Sequence, residues 1–153
     1  MIDVTIQAIQ EREITLDGVT FSGRAFSTGE KVRGAFKAVN NDFWYFGEVR
    51  NGEPDGYGSY NSFEGDTRSG HWASGWLVGH SVHRWPNGAI VYNQHDGAHI
   101  AWESTNGTFA YNGQPCDAAD ARFAGLKRAA LMEETLAKQV KEQVEAAIDN
   151  YFR

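Results

Sequence analysis

The sequence predicts a mainly β fold with a C-terminal α segment. The expected form is an antiparallel β-meander of stacked hairpins, followed by one long or two short amphipathic helices. Three observations predict it. Glycine supplies 17 of 153 residues, about 11% against a usual value of roughly 7%. Aromatic side chains are abundant, with 5 Trp, 6 Tyr and 9 Phe, and flat rings favour strands. Composition then switches near Pro115: 16 of the 17 glycines lie between Gly18 and Gly113, and only Gly125 follows. Beyond Pro115 the chain is rich in Ala, Leu, Glu, Lys and Gln, which favour helix. Residues 1–115 are therefore read as the meander and residues 116–153 as a helical segment, packed on the sheet or on a partner within one compact unit.

The strands follow from a repeat with a period of 23: Gly47, Gly52, Gly56 and Gly65 recur as Gly70, Gly75, Gly79 and Gly88, while Gly58 falls on Ser81. Each repeat contains two turn signals. One series is Thr28-Gly29, Asn51-Gly52, Ser74-Gly75 and Asp96-Gly97. The other is Asp17-Gly18, Asn41-Asp42, Glu64-Gly65, Asn87-Gly88 and Asn106-Gly107. Asn-Gly and Asp-Gly accept the positive φ angles of tight hairpin turns. Between the turns lie strands of ordinary length, about five hairpins in all. One hairpin cannot bury its apolar face alone, whereas stacked neighbours can.

Strand alternation sorts the side chains by face. Tyr45, Gly47 and Val49 share one face, and Arg68, Gly70 and Trp72 share the equivalent one. Gly56, Gly58 and Tyr60 align with Gly79, Ser81 and His83. Glycines opposite large rings leave room for the rings to lie flat on the sheet.

The helical segment begins after Pro115, with Asp117 and Asp120 resembling an N-cap and an acidic residue three on. Its apolar stripe runs Phe123, Leu126, Ala130, Ala137, Val140, Val144, Ala147 or Ile148, and Tyr151, widened by Leu131, Met132 and Leu136. Lys127, Arg128, Glu134, Lys138, Lys141, Glu142 and Glu145 are assigned to the other face. A continuous helix would be about 50 Å long, and Gly125 is where it would break. The stripe needs an apolar partner, either the open sheet or another chain, including a second copy in a homodimer.

Composition excludes several classes. The formal charge is −6 and the isoelectric point about 5.3, which disfavours direct nucleic-acid binding and anionic membranes. Residues 1–115 carry 8 basic and 13 acidic side chains, so the acidity belongs mainly to the meander. A single cysteine, Cys116, excludes an intramolecular disulfide and a cysteine zinc cluster. No signal peptide and no membrane span are expected, and the expected location is the cytoplasm.

The core repeat resembles the MORN repeat (membrane occupation and recognition nexus). Tyr45, Gly47, Val49, Gly52, Gly56, Gly58 and Gly65 follow its pattern, with Val49 in an aromatic position. Gly70, Trp72, Gly75, Gly79 and Gly88 follow it again, with Arg68 for the leading aromatic and Ser81 for one glycine. The core match covers about residues 45–88. Residues 91–107, with Asn93 where glycine is expected, and residues 21–34 look like degenerate copies. The resemblance implies hairpins arrayed in an elongated, twisted sheet with an aromatic-lined groove. It also implies an interaction module that binds proteins or dimerises.

Chemical sites are less supported. All five histidines lie in residues 71–99: His71, His80, His83, His95 and His99. His80 and His83 have opposite parity, and His95 and His99 straddle a turn without an evident third ligand, so no metal site is expected. Ser81 and His83 share a face, but a triad also needs an orienting acid and an oxyanion hole. Cys116 lacks an adjacent histidine. Glu53/Asp55 and Glu64/Asp66 sit at turns, where charge serves solubility. No catalytic residue, metal or cofactor is assigned.

The expected function is thus non-catalytic protein binding through an aromatic-lined groove, with the C-terminal helix as a second surface. Tyr45, Tyr60, Arg68, Trp72, Trp76, His83, Trp85 and Tyr92 are the groove candidates, since Trp, Tyr and Arg are the usual interface anchors. The alternative is a small acidic inhibitor, of the kind a virus or mobile element carries, that occludes a basic nucleic-acid-binding surface. The third reading is a small metal- or histidine-dependent enzyme.

Overall fold

Each strand of the sheet pairs with the next along the chain, because short turns can join only antiparallel neighbours. A computed structural model describes residues 8–96, 99–105, 108–116 and 121–152. Within them lie β1 (Gln10–Leu16), β2 (Val19–Thr28), β3 (Lys31–Ala38), β4 (Trp44–Arg50), β5 (Glu53–Asn61), β6 (Thr67–Ala73), β7 (Trp76–Arg84), β8 (Ile90–Asp96), β9 (His99–Thr105), β10 (Thr108–Tyr111) and β11 (Gln114–Cys116). They form one eleven-stranded antiparallel sheet in the order β1 to β11. A helix, α1 (Ala121–Tyr151), follows. The expected meander with a C-terminal α segment is the observed architecture.

The turn chemistry is the expected one at Asn51-Gly52, with φ of 52° and 75°. Asn112-Gly113 makes the same turn, with φ of 51° and 79°, and joins β10 to β11. The sheet therefore continues through Pro115, which sits in an edge strand where a missing N–H costs no ladder bond. The turns expected at Gly97 and at Asn106-Gly107, and the cap at Asp117 and Asp120, lie outside the described residues. The repeat also leaves a physical mark. Ladder irregularities fall opposite Gly47–Val49 of β4, Gly70–His71 of β6 and Gln94–His95 of β8, with the extra residues in β5, β7 and β9. Bulges at this spacing bend and twist alternate strands in the same sense.

That bending rolls the N-terminal half of the sheet onto itself. The Thr15 N–H of β1 donates to the Gly52 carbonyl of the β4–β5 turn at 2.8 Å. The enclosed face holds one core, built from Ile14, Leu16, Phe21, Phe36, Tyr45 and Trp72. Tyr45 lies flat, edge-on to Trp72 with centroids 5.6 Å apart, and its hydroxyl donates to the Glu48 carbonyl at 2.8 Å. A Cβ on Gly58 would run into the Tyr45 ring, so the glycine spacing does serve packing.

On the other face lies α1, one piece through Gly125 and 31 residues long, about 46 Å. Leu126, Ala130, Ala137, Val140 and Val144 are buried. Val140 and Val144 pack with Phe26 in a second core. The stripe from Leu126 to Val144 is thus satisfied within the chain, whereas Tyr151 is exposed and the side chain of Phe123 lies outside the described residues. Glu134, assigned above to the outer face, points inward and is 4% exposed. Its spacing from Ala130 and Ala137 puts it in the stripe, and Arg84 of β7 meets it with bonds of 2.6 and 2.8 Å. Lys141 also turns in, donating to Asn61 at 3.2 Å. Met132 and Leu136 remain at the surface.

Candidate functional site: the uncovered sheet face

With α1 on one face, the opposite face of β5–β8 stays open beside the rolled β1–β2 hairpin. The mouth between them is a groove of about 340 Å³. Leu16, Asp17, Val19 and Phe21 form one wall; Tyr60, Arg68, Trp72, Trp76, Leu77 and His95 form the other, with Phe43 between Tyr60 and Phe63 in a ring series. Phe43 lies 5.9 Å from Tyr60 and 6.0 Å from Phe63, centroid to centroid. Trp76 is 50% exposed, Phe63 64% and Trp85 43%.

The eight groove candidates divide. Tyr60, Arg68, Trp72 and Trp76 line the groove together. Trp72 forms its buried part, its indole N–H donating to the Gly58 carbonyl at 3.0 Å. His83 and Trp85 stack on each other at 4.1 Å, further along from the groove lining. Tyr45 is not accessible: it is fully buried because the sheet rolls over it. Tyr92 pairs with Val82 and turns to the helix-covered face, where Lys127 lies 5.7 Å from its ring. Parity explains this, since Tyr92 is one residue from Asn93, the partner of Ser81.

Leu16, Val19, Phe21, Phe43, Leu77 and His95 also line the groove and are absent from the sequence-based set. Leu16 and Val19 flank the Asp17-Gly18 turn, a visible signal. That the turn would roll across to β6 and β7 is a long-range consequence of strand bending, with no local signature.

Arg68 is central. Its cross-strand neighbours are Tyr60 and His83, and its guanidinium lies 5.7 Å from the Tyr60 ring centroid. Burial and then the Arg68 charge hold His95 neutral, lowering its pKa to about 4. Burial likewise lowers His83, against the opposing pull of Asp66, while Arg68 adds to the lowering.

The polar pairs differ from those parity alone suggested. Asp66 bonds His83, whereas Ser81 Oγ lies 3.1 Å from His95 Nε2. The acid-oriented histidine is therefore not the one that meets the serine, and Ser81 is 1% exposed. No nucleophile–base–acid chain is assembled from these four groups. Among the described residues no group of three or more His, Cys, Asp or Glu side chains could hold a metal ion. The side chains of His99 and Cys116 lie outside that description. Among the described residues, no helix is long and apolar enough to cross a membrane.

No protein-family model matches the sequence, and no curated protein matches it either.

Proposed function

We propose that the protein is a non-catalytic protein-binding module whose partner docks on the sheet face opposite α1. The observation that carries this reading is the groove itself. A half-exposed Trp76 stands beside Tyr60 and Arg68 over a buried Trp72 floor. Exposed rings around a guanidinium are the chemistry of interface anchors. The MORN-like repeat supports the same reading, since the glycines that carry the resemblance also clear space for the rings. A single cysteine suits a reducing compartment, so a cytoplasmic location belongs to the proposal.

The test is affinity capture from native lysate with the full chain and a Trp76→Ala/Trp85→Ala variant of matched melting temperature. A stoichiometric partner held by the first and lost by the second is the expected result. Retention by that variant but loss from Met132→Ser/Leu136→Ser would move the site to the outer face of α1. Capture of nothing but the chain itself would replace the partner reading with homo-oligomerisation. The alternative, an acidic inhibitor of a basic partner, draws on the chain's charge of −6 rather than on the groove. Loss of that partner's nucleic-acid binding on addition of this protein would identify an inhibitor.

A further inference from the structure

The cations of the sheet are not treated alike. On the helix-covered face Arg24, Arg33 and Arg84 each reach a carboxylate, those of Glu11, Glu48 and Glu134. Arg68, on the open face, has no carboxylate within 4 Å among the described residues; it lies instead over the face of Tyr60. Arg12 and Arg50 likewise lack an ion pair with a described carboxylate, but Arg68 is the one arginine among the described residues that line the groove. Both imidazoles around Arg68 are held neutral, so they do not repel an anion's approach and do not neutralise one either. Among the described residues that line the groove, one is a carboxylate, Asp17, at the β1–β2 turn. Burial raises the Tyr60 hydroxyl above its ordinary value, against the opposing pull of Arg68. Beside this guanidinium stands the exposed indole of Trp76, and the cavity of about 340 Å³ has room for a side chain or two.

We infer that the groove reads a partner segment in which a carboxylate side chain adjoins a large apolar one, the carboxylate pairing with Arg68 and the apolar group packing on Trp76. The inference rests on the groove being the docking site. Arg68 supplies a planar donor fork that matches a carboxylate. Because the pair forms at a surface, its contribution is modest, about two- to fivefold in affinity, and it is screened by salt.

The experiment uses the full chain labelled with ¹⁵N and three blocked dipeptides: glutamyl-, glutaminyl- and lysyl-phenylalanine. The readouts are the Trp76 indole N–H and Arg68 Nε–H resonances. The glutamyl probe is expected to shift both and to bind about two- to fivefold more tightly than the glutaminyl probe, with the lysyl probe weakest. Arg68→Gln should abolish the difference between the first two, and Asp17→Asn should widen it. Equal binding of glutamyl and glutaminyl probes at Trp76 would overturn the carboxylate inference and leave the groove reading standing. Shifts confined to the outer face of α1, or none at saturating probe, would overturn both.

Discussion

A single added methyl group has opposite consequences at two glycines. At Gly58 the new Cβ meets the Tyr45 ring, which is fully buried and fixed by its own hydrogen bond to the Glu48 carbonyl. The ring cannot yield without breaking the core. At Gly125 the new Cβ meets nothing within 4 Å on an exposed part of α1. Gly58→Ala is therefore expected to destabilise the fold by about 2–3 kcal/mol through overpacking. Gly125→Ala is expected to stabilise it by about 0.5–1 kcal/mol through helix propensity. Urea denaturation of both variants checks the pair; equal effects would mean that glycine serves only the turns. The role of Gly58 was legible from alternation, because Tyr45 and Gly58 fall on one face of adjacent strands. The burial of Tyr45 was not legible. Alternation assigns a face but not depth, and Tyr45 is covered by residues from β1 that lie some thirty positions away.

The attachment of α1 depends on one polar pair as well as on its apolar stripe. Glu134 is buried against the sheet, and two hydrogen bonds from Arg84 satisfy it, with Lys138 3.5 Å away. Replacing Glu134 with Ala leaves Arg84 without its carboxylate on a largely covered face. That substitution should cost about 2–3 kcal/mol, and the double variant with Arg84→Gln should recover part of it. A double-mutant cycle in urea reads the coupling, and strict additivity would sink the pairing argument. The helix itself was legible from the stripe at Leu126, Ala130, Ala137, Val140 and Val144. Its inward Glu134 was not, because an acidic residue in a helix pattern reads as solvated until the sheet is seen to offer Arg84. The choice between sheet and partner as cover for the stripe was equally closed to sequence, since helix periodicity marks an apolar face but not the surface it meets.

Acid should loosen the entire assembly, because both titrating classes push in one direction. His83 and His95 are held neutral in the fold below their ordinary value of 6.5, His95 down to about 4, by burial and by Arg68. As pH falls through 6.5 the unfolded chain takes up protons that the folded chain refuses. Stability present above that pH is then lost progressively towards about 4. Glu48 and Glu134 follow. Burial opposes their ionisation, but hydrogen bonds and neighbouring cations outweigh it and hold both below 4.5. Their contribution is present above 4.5 and disappears as pH falls through the lower folded values. The general charge effect has the opposite sign: a chain of net charge −6 repels itself less as acid neutralises it. The two accounts therefore predict different profiles. If the specific pairs dominate, the urea midpoint is level above about pH 7.5 and declines below 6.5, and His95→Gln flattens the upper part of that decline. A midpoint that rises between pH 7.5 and 5 would show that relief of self-repulsion governs instead. His83 and His95 would then have little hold on the stability of the sheet that carries them.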